Sequence, residues 1–127
     1  MSVVGLHHVQ VNVLLALEKE AHHFYGELVG MEPMSRPQSL SDAGRHGAWF
    51  RCGQQEFHVF SSPTVDFEPG VGSQHPAFLV DDLDALRGRL TSAGYDIEEA
   101  IPIDGRDRFF ARDPGGNRIE FLSFAGA

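Results

Sequence analysis

The chain has 127 residues, 42% of them hydrophobic, which suits one domain with its own core. Its formal net charge of −8 argues against a nucleic-acid partner, which would favour a basic surface, and no apolar run approaches the ~20 residues that cross a bilayer. The single lysine, Lys19, argues against P-loop chemistry; the single cysteine, Cys52, excludes an intramolecular disulfide and fits a reducing cytoplasm, as does the absence of a secretory leader pattern.

From Gly5 to Val13 the sequence alternates: Leu6, His8, Gln10 and Asn12 face one way, and His7, Val9, Val11 and Val13 the other. A strand with a polar front and an apolar back is expected there. Leu17, Ala21, Phe24 and Leu28 then fall at helical spacing, and Gly30 follows as a C-terminal stop. Strands over Ala48 to Cys52 and Glu56 to Phe60 close the first half. Cys52 reads as a spectator thiol in its strand rather than a nucleophile. The Pro/Gly/Ser-rich stretch from Ser61 to Ser73 separates the halves.

The second half repeats the order. Gln74 to Val80 predicts a strand, and Asp81 or Asp82 caps a helix with the stripe Leu83, Leu86, Leu90 and Ala93, ended by Gly94. Strands follow near Ile97 to Ile103, Arg108 to Arg112 and Asn117 to Phe124, the last two joined by a turn through Asp113, Pro114, Gly115 and Gly116. The chain therefore reads as two copies of strand–helix–strand–strand–strand, about residues 1–62 and 73–127, each too small for a large core of its own.

Aligning the first strands matches His8 to His75, an offset of 67 residues; aligning the last strands matches His58 to Glu120, an offset of 62. The five-residue difference is left to loop lengths. His58 lies between Phe57 and Val59, and Glu120 between Ile119 and Phe121, so each polar side chain faces away from the side its apolar neighbours bury. Imidazole and carboxylate donors suit a borderline divalent ion such as zinc, nickel, manganese, cobalt or iron(II).

Three segments carry a resemblance: Gly-Leu-His-His-Val-Gln-Val-Asn-Val from Gly5, Gln-His-Pro-Ala-Phe-Leu-Val-Asp-Asp-Leu from Gln74, and Arg-Asp-Pro-Gly-Gly-Asn-Arg-Ile-Glu-Phe from Arg112. They resemble the signatures of the vicinal oxygen chelate superfamily, which includes glyoxalases, bleomycin-resistance proteins and dioxygenases. The resemblance implies an α+β fold of two βαβββ modules forming an open, cup-shaped mixed sheet around a metal. It implies His8, His75 and Glu120 as metal ligands, with His58 as a further ligand or proton-transfer base and Glu120 also in the catalytic set. It further implies a homodimer, acting on a small molecule by lyase, isomerase or dioxygenase chemistry. The rival reading is a metal-free, ligand-sequestering protein of the bleomycin-resistance kind.

Two departures stand out. Glyoxalase I usually carries a glutamate where this chain has His58, and Pro76 follows His75, where proline belongs only at a strand start or sheet edge. Among the remaining candidates, His7 is expected to point away from His8, His22 and His23 to sit on the helix surface, and His46 to lie in a Gly-rich loop. Trp49, Phe50 and Phe110 are candidate pocket residues or plain core. Arg106, Arg108, Arg112 and Arg118 include a candidate anion anchor.

Overall fold

The computed structural model describes residues 2–124. They fall into two compact units that divide between Phe67 and Glu68.

In the first unit, β1 (His8–Leu14) leads into a helical segment made of a 3₁₀ turn (Leu15–Leu17), α1 (Glu18–His23) and a π turn (Phe24–Leu28). Then come β2 (Glu32–Met34), the short α2 (Gln38–Asp42), β3 (His46–Cys52) and β4 (Gln55–Ser62). The sheet order is β1-β4-β3-β2, with β1 parallel to β4 and the other pairs antiparallel. The π turn widens the helix where two aromatics follow one another, with the Val29 N–H reaching the Phe24 carbonyl at 2.9 Å. Both Phe24 and Tyr25 thereby become fully buried. The Tyr25 ring centre lies 4.7 Å from that of Phe57 and 6.2 Å from that of Phe50. With Val11, Val13 and Val59, these residues form the apolar back of the sheet. Burying each such side chain contributes about 1.5–3 kcal/mol.

The second unit has the same plan: β5 (Ala77–Leu79), α3 (Leu83–Ser92), β6 (Glu98–Glu99), β7 (Arg106–Arg112) and β8 (Arg118–Phe124), in the order β5-β8-β7-β6. Again the first strand runs parallel to the last. Asp82 caps α3, its carboxylate accepting from the Ala85 N–H at 3.1 Å. Leu83, Leu86 and Leu90 are buried, together with Phe109, Ile119 and Phe121. Pro76 sits just before the edge strand β5, where its missing N–H costs no ladder bond. Its carbonyl still accepts from the Glu120 N–H at 3.0 Å.

The fold is thus α+β, with two open four-stranded mixed sheets in a repeated topology. The repeat can be checked in the ladders. His8 pairs with Glu56, 48 residues on, and Ala77 with Glu120, 43 residues on. The difference of five equals the difference between the offsets of 67 and 62 read from the sequence. If His8 matches His75, the ladders make His58 match Glu120.

Several elements differ from expectation. β2 and α2 are additions, the strand expected over Gln74 to Val80 shortens to three residues, and that over Ile97 to Ile103 shortens to Glu98–Glu99 plus an isolated bridge from Ile103 to Arg106. Pro76 and Pro102 explain the shortening, since neither can donate to a ladder. His46 is not in a loop: it opens β3, opposite Ser61.

Candidate functional site

In the first unit the polar front of the sheet carries three stacked rings from three neighbouring strands. The His58 ring on β4 lies between the His8 ring on β1, 4.2 Å away and 16° from parallel, and the Trp49 indole on β3, 4.0 Å away and 2° from parallel. The stack follows from register, because Trp49 stands directly opposite His58 and His8 stands beside Glu56, two residues before it. His58 is buried, and its Nε2–H donates to the Glu56 carboxylate at 2.9 Å. That hydrogen bond is the main reason the Glu56 carboxyl lies below its usual range; nearby His7 and Arg51 add to the lowering, and burial opposes it. The bond also fixes His58 as the Nε2–H tautomer, with its free lone pair on Nδ1.

His7 does not turn away from His8. The two Nδ1 atoms are 3.0 Å apart, one donating to the other. β1 begins only at His8, so strict alternation does not govern His7. When His8 is the donor, its Nε2 carries the free lone pair. These rings line one side of a cavity of about 660 Å³ that also includes Arg36, Leu40, Arg45 and Phe60.

In the second unit, His75 precedes β5 and Glu120 lies on β8, buried. His75 Nδ1 is 2.7 Å from the Ser73 carbonyl, and a carbonyl only accepts, so Nδ1 carries the proton. In the neutral ring, Nε2 then presents its lone pair to the Glu120 carboxylate oxygen 3.0 Å away. Two lone pairs so placed need a cation or proton between them. The separation also equals that of two adjacent ligands about 2.1 Å from an octahedral ion. An imidazole whose other nitrogen donates to a backbone carbonyl is the usual support for a metal ligand. Arg108 lies 3.5 Å from the same carboxylate oxygen and donates to the Ile101 carbonyl at 2.8 Å. The Phe110 ring meets His75 edge-on at 4.9 Å and carries the Arg118 guanidinium 3.7 Å from its centre.

The structure therefore brings together His8 with His58, and His75 with Glu120. Among the described residues, no three His, Cys, Asp or Glu side chains gather in metal-ligating geometry. Of the other candidates, Phe50 is core, His22 lies 3.7 Å from Glu18 one helical turn back, and Arg112 is tied to the Gly116 and Gly72 carbonyls. Cys52 is half-buried at the end of β3, and burial pushes its thiol up, away from the range of an activated nucleophile. Sequence reasoning missed Glu56, although its place two residues before His58 puts it on the same strand face. It also missed Ser73, which acts through a backbone carbonyl that no residue type announces.

Residues 5–121 match the Glyoxalase/Bleomycin resistance protein/Dioxygenase superfamily. The chain belongs to that superfamily. Members generally use a divalent metal ion, bind small molecules and commonly form dimers. A glyoxalase family protein of Bacillus anthracis is similar, with 37% identity, 98% of each chain covered and a TM-score of 0.83. Glyoxylase I 4 of Arabidopsis thaliana is 27% identical over 97% of this chain and 72% of its own length. A lactoylglutathione lyase of Agrobacterium tumefaciens shares the fold at a TM-score of 0.69 and 19% identity, with 96% of this chain and 95% of that one covered. Among the described residues, no helix is long and apolar enough to cross a membrane.

Proposed function

We infer that the protein is a metal-dependent enzyme acting on a small molecule with two neighbouring oxygens. His8, His75 and Glu120 hold the ion in this reading. The observation that carries it is the His75–Glu120 pair: Ser73 takes the Nδ1 proton, and Nε2 and the carboxylate are left converging at 3.0 Å. When bound, the ion would supply a Lewis acid for the substrate oxygens. Two histidines and one carboxylate suit zinc, nickel, manganese, cobalt or iron(II), leaving isomerase, lyase and dioxygenase chemistry open.

The residues around this set have defined work. The Ser73 carbonyl holds the His75 tautomer that leaves Nε2 free, and His7 leaves Nε2 of His8 free when it accepts the His8 Nδ1 proton. Pro76 fixes the backbone after His75, and its carbonyl bond to the Glu120 N–H holds the two ligands in register. His58 lies against His8 with Nε2–H on Glu56, so it offers Nδ1, either as a further ligand or as an acceptor for a substrate proton. Trp49 covers one face of that ring and keeps it from rotating. The reading includes a homodimer in the cytoplasm. The exposed Leu79, Ile101 and Phe124 of the second unit support pairing.

Metal analysis of protein purified without chelator, with zinc titration of the native chain and of a His8→Ala/Glu120→Ala double variant, tests the reading. About one ion per chain, lost in the variant, is expected. Equal metal content and affinity in the two proteins refute the ligand set. A native chain that takes up no metal leaves the ligand-sequestering alternative in its place.

A further inference from the structure

The 660 Å³ cavity of the first unit is walled by two arginines, Arg36 before α2 and Arg45 after it. Among the described residues neither is ion-paired, whereas Arg87, Arg108 and Arg118 each have a carboxylate partner within 4 Å. Arg36 spends both terminal nitrogens on one acceptor, the Arg45 carbonyl, at 3.3 Å each, and its Nε is buried without a partner. Bonds of that length to a neutral carbonyl are weak replacements for a carboxylate. The Arg45 guanidinium lies 5.5 Å from the centre of the Phe60 ring, on the same cavity. In a chain with net charge −8, two guanidinium groups without carboxylate partners stand beside an apolar wall of Leu40, Val59 and Phe60, a combination suited to an anion with an apolar body.

We propose that Arg36 and Arg45 are specificity residues that bind an oxyanion, carboxylate or phosphate, on a substrate whose apolar body lies along Leu40 and Phe60. The inference rests on the reading of this face as the substrate side, since His8 and His58 line the same cavity. The site then selects a small anionic substrate and discriminates against neutral isosteres, whose binding leaves the guanidinium groups without a counter-charge.

Trp49 is the only tryptophan and lines this cavity, so its emission reports occupancy there. The full-length chain, as purified and after chelator treatment, is titrated with cyclohexanecarboxylate, cyclohexyl phosphate and neutral cyclohexanecarboxamide, following Trp49 fluorescence and heat. At least one anion is expected to bind about tenfold or more tightly than the carboxamide with or without metal, to weaken with added salt, and to shift Trp49 emission. The stronger of the two anions identifies the oxyanion. R36Q and R45Q are expected to lose most of that preference while keeping carboxamide binding and thermal stability. Arg45 is exposed, so R45Q remains informative if R36Q fails to fold. Anions that bind no better than the carboxamide, or full anion preference in folded R45Q, overturn the proposal. Because the measurement needs no metal, loss of the metal reading and loss of the anion site are separate results.

Discussion

His58 and Glu56 stand two residues apart on one face of β4, and Nε2 of the histidine donates to the carboxylate at 2.9 Å. His75 has the opposite arrangement, with Nδ1 donating to the Ser73 carbonyl and Nε2 turned to Glu120. The two rings are thus held in opposite tautomers by different partners. A metal ion takes only the lone pair of an unprotonated nitrogen, so His75 offers Nε2 to an ion and His58 offers Nδ1.

Nitrogen-15 correlation spectra of the imidazole rings check this. His58 is expected as the Nε2–H tautomer and His75 as Nδ1–H, and zinc is expected to perturb Nε2 of His75 while the Nε2 proton of His58 stays in place. Glu56→Ala should release the His58 tautomer and leave that of His75 unchanged. Loss of the Nε2 proton of native His58 on adding zinc would contradict the assignment.

The same geometry bears on glyoxalase I chemistry, in which a carbon-bound proton is moved. A glutamate at position 58 has two oxygens, one able to take a proton while the other is engaged. His58 has a single lone pair once Glu56 holds Nε2–H. Native protein loaded in turn with zinc, nickel, manganese and cobalt is expected to turn over the methylglyoxal–glutathione hemithioacetal poorly, and His58→Glu is expected to raise the rate. Efficient native turnover with any of these metals defeats the argument.

At α3 the stability link is local. Asp82 accepts from the Ala85 N–H at 3.1 Å and supplies the helix with its N-cap. Asp82→Ala should cost about 1 kcal/mol in urea unfolding, within the usual range of about 0.5–2 kcal/mol for such caps. Asp81→Ala, outside the cap, should cost less. Equal losses would mean that charge near the helix start, rather than the cap bond, carries the effect.

Much of this was legible in the sequence because its signals are periodic. The alternation through His8 to Val13 and the stripe at Leu83, Leu86 and Leu90 report which side is buried, and the structure buries those sides. The apolar neighbours of His58 and Glu120 likewise showed that both polar side chains face forward. What escaped was set by contacts rather than period. β2 is three residues containing Pro33, and α2 has five residues with no buried side chain, so neither leaves a pattern. The Arg36–Arg45 wall depends on how the chain loops around α2, which spacing does not encode. His7 departs from the alternation because it lies one residue before the start of β1.

The turn that delivers Glu120 to its place gives a final prediction. Asp113 accepts from the Asn117 N–H at 2.9 Å and from its side-chain amide at 3.0 Å, while the Gly116 N–H donates to the Asp113 carbonyl at 2.9 Å. Gly116 has φ +84°, and a Cβ there would lie 2.5 Å from the Gly70 nitrogen and 2.7 Å from Pro69 Cβ. Backbone cannot give way as a flexible side chain would, so Gly116→Ala should add a steric cost to the roughly 1–2 kcal/mol of the left-handed conformation, for a total of about 2–4 kcal/mol. Gly94, at φ +90° with nothing within 4 Å, isolates the first part, and Gly94→Ala should cost only about 1 kcal/mol. Denaturant unfolding of the two variants measures the difference. Since Glu120 follows four residues after Gly116, zinc affinity should also fall in Gly116→Ala and hold in Gly94→Ala. Equal destabilisation by the two substitutions would show that the turn accommodates the methyl group and that the close packing of Gly70 and Pro69 does not hold β8 in place.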